Sequence, residues 1–126
     1  MKKILIYVLT IMGFVILSTV IEMTSYTLLR VPTPPGFSTK DLALIFPTKI
    51  LFAFVFVIVF RLSYGSKLSE NGIFYGILWF LGFSIPQEVG FWAVYKYEIV
   101  SAYAGLLSGF VTFPIWGWLV KKIKLP

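Results

Sequence analysis

The chain has no cysteine and no histidine, and only 13% of its 126 residues are charged. Without cysteine there is no disulfide framework, no thiol nucleophile and no iron–sulfur site. Without histidine, His-ligated haem, the usual zinc sites and Ser-His-Asp or Cys-His catalysis are also excluded. An ordinary soluble domain carries about 25% charged and 45–50% apolar residues, whereas this chain is 59% hydrophobic. A small soluble domain has a large surface to cover with polar groups, and this sequence lacks them. The composition is that of a membrane protein. No catalytic motif remains, so the chain is not expected to be an enzyme, and no metal or cofactor is implied. Five carboxylates, Glu22, Asp41, Glu70, Glu88 and Glu98, still allow an oxygen-ligand cation site or a proton relay.

What the chain does have is four long apolar runs. Ile4–Ile21 and Ser101–Val120 carry no charge. Leu42–Phe60 carries only Lys49, and Gly72–Val94 only Glu88. A spanning helix needs about 20 mostly apolar residues, and in lipid the backbone must satisfy its own hydrogen bonds. The reading is therefore an all-α membrane protein, a four-transmembrane-helix bundle. It forms a single domain over 1–126, with helices at about 4–29, 39–62, 72–95 and 101–120.

The connections agree. Arg30-Val31-Pro32-Thr33-Pro34-Pro35-Gly36 cannot be helical throughout and reads as a stiff external cap. Ser38 with Asp41 has the capping-box spacing, which starts the second helix near Thr39, and Pro47 is expected to kink it. Asn71-Gly72 is a turn signal. Lys2-Lys3 before an apolar run resembles a signal peptide, but no A-x-A-like site follows and the run is long enough to span. The first helix is therefore expected to be retained.

The net charge of +6 would suggest nucleic acid in a soluble protein. Here the basic residues flank apolar runs, where Lys and Arg contact headgroups and set topology, so the expected partner is the lipid bilayer and not nucleic acid. Lys2, Lys3, Arg61, Lys67, Lys121, Lys122 and Lys124 fall on one side. Arg30, Lys40 and Lys96, with Lys49 if counted, fall on the other. This bias puts both termini in the cytoplasm of a multi-pass cell-membrane protein. Trp92, Tyr95, Tyr97 and Tyr103 are expected in the outer aromatic belt. Tyr7, Tyr64, Tyr75, Trp116 and Trp118 are expected in the inner one.

Glu22, Lys49 and Glu88 lie inside the helices. At 1.5 Å per residue they sit about 28, 18 and 24 Å from the inner boundary of a hydrocarbon layer about 30 Å thick. All three fall in the outer half. A charge at a helix centre costs about 2.5–3.5 kcal/mol on insertion scales, so an ion pair of Lys49 with Glu22 or Glu88 is expected. Ser18, Glu22, Tyr26 and Arg30 are spaced by four, as are Ser84, Glu88, Trp92 and Lys96. This places each set along one helical face and hints at two hairpins related by a weak pseudo-repeat. Two carboxylates facing one ammonium leave excess negative charge. The functional interpretation is a protonatable or cation-binding site; the structural one is an ion pair that sets helix register. Pro86 removes the bond to the carbonyl of Gly82 and strains the helix beside Gln87 and Glu88.

Small residues mark packing faces. Ser101, Gly105, Ser108 and Thr112 form a stripe, Gly105 and Gly109 a GxxxG, and Gly72 and Gly76 another. Such stripes let helices approach closely, here between the third and fourth spans or between subunits. Phe46, Phe52, Phe54, Phe56 and Phe60 make the second helix bulky all round and are expected to face lipid or a partner. Two functions follow as expectations. The first is ion- or proton-linked transport or permeation by a homo-oligomer. The alternative is a non-catalytic accessory or assembly subunit of a larger membrane complex.

Overall fold

The computed structural model describes residues 1–32, 39–95 and 98–126, with side chains except at 39–42 and 95. The helices are α1 (Lys2–Leu28), α2 (Thr39–Leu62), α3 (Gly72–Trp79), α4 (Ile85–Tyr95) and α5 (Ile99–Ile123). A π-helical turn, Phe80–Ser84, joins α3 to α4 into one span, and a 3₁₀ turn, Lys67–Ser69, sits between α2 and α3. Among the described residues there is no strand. Four stretches are long and apolar enough to cross a membrane: Lys2–Leu28, Ala43–Leu62, Gly72–Val94 and Ile99–Ile123. The fold is an all-α four-helix bundle, compatible with a small integral membrane protein. Residues 33–36 of the proline-rich cap and the capping residue Ser38 lie outside the described residues, and α2 continues helically through Pro47.

One end of the bundle is tied by polar groups. Tyr7 Oη and Arg61 Nε both donate to the carbonyl of Pro126, at 2.8 and 3.0 Å. The Leu125 N–H donates to Tyr64 Oη at 2.9 Å. Lys121 Nζ donates to the carbonyls of Ser69, at 3.3 Å, and of Glu70. Asn71 caps α3 by accepting from the Phe74 N–H at 3.0 Å, satisfying a donor that the helix leaves without a partner. The start of α1, the α2–α3 loop and the end of α5 therefore share one face of the bundle.

Helix α5 packs most extensively on α3 and also contacts α1, while α1 packs on α2. The α3–α5 contact is made backbone to backbone. A Cβ on Gly76 would overlap the carbonyl of Phe113 and lie 2.8 Å from Pro114 Cα. A Cβ on Gly72 would overlap the carbonyl of Gly117. Helix α2 meets α3 differently, through aromatic rings. Phe56 is fully buried and lies 4.8 Å from the Tyr75 ring and 5.4 Å from those of Trp79 and Trp116. Phe14 stacks on Trp116 at 5.2 Å.

These contacts revise three expectations. Helix α2 is not uniformly outward: Phe56 and Phe60 are core and Phe52 packs against it, leaving Phe46 and Phe54 exposed. Tyr75 and Trp116 are buried core residues rather than belt residues, and the Tyr75 hydroxyl donates to the Phe56 carbonyl at 2.6 Å. Third, the two hairpins pack differently. The α3–α5 pair is held at glycines, whereas Gly13 of α1 has nothing near where its Cβ would be.

The π turn decides which face the outer part of the third span presents. Pro86 has no N–H to offer the Gly82 carbonyl. Just before it the helix widens, and the Ile85 N–H bonds to the Phe80 carbonyl, five residues back. Over the 16 positions from Gly72 to Glu88 a regular α-helix drifts about 160° from its starting face; absorbing one extra residue cuts this to about 60°. Ser84 and Glu88 thereby stay on the α5 side.

Candidate functional site

All four spans contribute to one cleft of about 460 Å³. Its lining falls into three levels along the helices. The outermost holds Tyr26, Glu22 and Lys49 from α1 and α2, and Gln87 and Glu88 from α4. Below it lie hydroxyl groups: Ser18 on α1, Ser84 at the π turn, and Ser108 and Thr112 on α5. The floor is aromatic, made by Phe52, Phe113 and Trp116. Beyond it the stacked core around Phe14 and Phe56 fills the bundle.

Lys49 pairs with Glu22. Its Nζ lies 2.5 Å from Glu22 Oε2 and donates to Thr19 Oγ1 at 3.2 Å. Thr19 passes the chain on by donating to the Val15 carbonyl at 2.8 Å. The pair is only partly shielded, with side-chain exposures of 19% for Lys49 and 36% for Glu22. Sequence reasoning left Lys49 two candidate carboxylates, and the register of α1 against α2 selects Glu22. Thr19 was missed, although its place one turn before Glu22 put it within reach.

Glu88 occupies a different seat. Its carboxylate lies against the bare backbone of Gly105, where a Cβ would fall 2.5 Å from both oxygens. Ser84 repeats the arrangement one turn further in, its Oγ against Gly109. The two GxxxG pairs thus have different duties. Gly72 and Gly76 bring backbones together, whereas Gly105 and Gly109 make room for polar side chains of the opposing span. Ser101 is half-buried and outside the cleft lining. Pro86 is exposed and acts through the π turn.

Thr112 and Trp116 complete the inner part. They stand one helical turn apart, 4% and 3% exposed, and both line the cleft. Among the described residues, the Thr112 hydroxyl and the Trp116 indole nitrogen have no hydrogen-bond partner. An unsatisfied buried polar group costs about 1–3 kcal/mol, so two neighbouring ones mark a place where a guest acceptor is favoured. The signal in the sequence was the Thr112–Trp116 spacing of four, which an inner-belt assignment of Trp116 obscures.

Among the described residues no group of three or more His, Cys, Asp or Glu side chains could hold a metal ion. The cleft lining among the described residues carries the carboxylates Glu22 and Glu88, the ammonium of Lys49 and several hydroxyl groups. Together the fold and the cleft define a class: a small bundle of four helices long and apolar enough to cross a membrane, with a polar cleft among them. Comparison with protein-family models, with curated proteins and with solved structures finds no match to this chain.

Proposed function

We propose that the protein is a non-enzymatic transport or permeation protein of the cell membrane, linked to protons or other cations and acting as a homo-oligomer. The observation that carries this reading is the gathering of Glu22, Lys49 and Glu88 into one cleft walled by all four spans. Intramembrane ionisable residues are expensive and mark solute or proton pathways. The aromatic floor closes the cleft towards the polar-tied end, so a single copy offers a site reached from one side. A route to the other side requires movement of the bundle or a second subunit. The basic residues near the tied end support a cytoplasmic location for both termini.

The test is flux in proteoliposomes under an imposed pH gradient. Glu22→Gln and Glu88→Gln are each expected to abolish pH-dependent flux while leaving the protein folded. Unchanged flux in both variants, or no flux from the natural protein across a panel of ions, would remove the site assignment. The alternative, an accessory subunit of a larger membrane complex, draws on the outward Phe46 and Phe54 of α2. Purification from native membranes in mild detergent separates the two: a stoichiometric partner supports the accessory reading, and a homogeneous homo-oligomer the transport reading.

A further inference from the structure

The polar-tied end holds a second, smaller recess of about 230 Å³. Phe60 and Tyr64 line it from the end of α2, Ser69 from the 3₁₀ turn, and Lys121 and Lys124 from the end of α5. It shares no lining residue with the cleft. Among the described residues, the only charged side chains in its lining are the two lysines. The carbonyls of Ser69 and Glu70 hold Lys121 in place. They use two of the three N–H groups of its ammonium and leave the third to be given. Lys124 ends α5 in a left-handed conformation, φ 54°, and the chain turns there so that the Leu125 N–H reaches Tyr64 Oη. Tyr64 is the acceptor in that bond, and its own O–H has no acceptor among the described residues. The Arg61 guanidinium lies 4.7 Å from the centre of the Tyr64 ring and adds positive charge beside it. The recess therefore offers two ammonium groups and a phenol O–H, all donors, to a guest rich in acceptors.

The surroundings identify the guest. This end of the bundle carries seven of the eleven basic side chains and only one of the five carboxylates, Glu70. Next to Lys121, Lys122 Nζ lies 5.6 Å from the Trp118 ring, and Trp118 is exposed. A lysine snorkelling beside an amphipathic ring is characteristic of the membrane–water interface, so the recess lies at the level of lipid headgroups. Basic pockets between helices at this level suit anionic headgroups. Lys121 and Lys124 are exposed, and exposed charges hold a freely dissolved ion weakly. A lipid is already concentrated at this level by its acyl chains.

We propose that the recess binds the phosphodiester of an anionic glycerophospholipid. Its phosphate oxygens accept hydrogen bonds from Lys121, Lys124 and the Tyr64 hydroxyl. A phosphocholine headgroup brings its own positive charge up to two lysines and is disfavoured; phosphoglycerol brings none. This site is separate from the cleft and stands whether or not the protein transports a solute.

Native mass spectrometry of the full chain in mild detergent tests it, with dioleoylphosphatidylglycerol and dioleoylphosphatidylcholine added in equal amounts. The natural protein is expected to retain the glycerol lipid about tenfold or more over the choline lipid, since each basic group near the surface contributes roughly fivefold. Lys124→Gln should cut the preference roughly fivefold, and Lys121→Gln with Lys124→Gln should nearly abolish it. Lys2→Gln with Lys3→Gln removes the same charge from the same end but outside the recess, and should leave most of the preference. Lys121 also holds the α2–α3 loop, so Lys124→Gln alone decides if the double variant melts early. Inorganic phosphate at the lipid concentration should not displace the bound lipid. No preference in the natural protein, an unchanged preference in Lys124→Gln, an equal loss in the Lys2 and Lys3 variant, or displacement by inorganic phosphate would overturn the proposal.

Discussion

Gly76→Val is expected to cost about 3 kcal/mol of stability, the upper part of the range for overpacking. The reason is the nature of the neighbour. Even one added carbon at Gly76 would overlap the Phe113 carbonyl and crowd Pro114 Cα. Both are helix backbone, which cannot step aside as the tip of a long side chain can. To admit an isopropyl group, α3 and α5 must separate, and the Gly72–Gly117 contact beside it opens too. Interiors are close-packed, and their van der Waals contacts fall off steeply with separation. With a total stability of about 5–15 kcal/mol, the loss should be plain as a lower melting temperature by tryptophan fluorescence in detergent. Gly13→Val is the matched comparison, because nothing lies within 4 Å of a Cβ there. It should melt close to the natural protein. Equal melting of the two variants would show that the glycine contact does not hold the bundle.

Lys49→Met should destabilise by about 1–3 kcal/mol, less than the 3–5 kcal/mol typical of breaking a fully buried pair. The substitution keeps the length of the side chain and removes the ammonium that faces Glu22 and Thr19. Glu22 is then left with its charge in the outer part of a span, and it must take up a proton or stretch towards the headgroups. The discount reflects the exposure both side chains keep. Combining Lys49→Met with Glu22→Gln removes the stranded charge and should recover most of the loss, a non-additivity that a double-mutant cycle measures. A double variant as unstable as the sum of the singles would mean that the pair contributes nothing as a pair.

The architecture was legible because hydropathy and length alone identify spans in a bilayer. Constant helix rise puts Glu22, Lys49 and Glu88 at neighbouring heights in the sequence reading, and in the structure the three line one cleft. Orientation about each helix axis was harder. On α2 phenylalanines point both ways, and nothing local distinguishes Phe56 in the core from Phe54 outside. The register of α1 against α2 that gives Lys49 to Glu22 is a tertiary property. Pro86 announced strain, but its resolution as a π turn, with the rotation that keeps Glu88 over Gly105, depends on α5 standing opposite. The hydroxyl of Thr112 and the indole of Trp116 look like ordinary small-stripe and interfacial positions until their surroundings are known.

The absence of cysteine provides the most direct measurement. A single Thr48→Cys or Gln87→Cys substitution places the only thiol of the chain at an exposed residue of the cleft. Leu51→Cys and Phe110→Cys place it on exposed apolar positions outside the cleft lining, 62% and 59% exposed. In sealed vesicles a membrane-impermeant methanethiosulfonate reagent is added from the side opposite the tied end. The account predicts rapid modification at positions 48 and 87, and little at positions 51 and 110. No modification at either cleft position, or equal rates at all four, would contradict a water-accessible site at the Glu22–Lys49–Glu88 level.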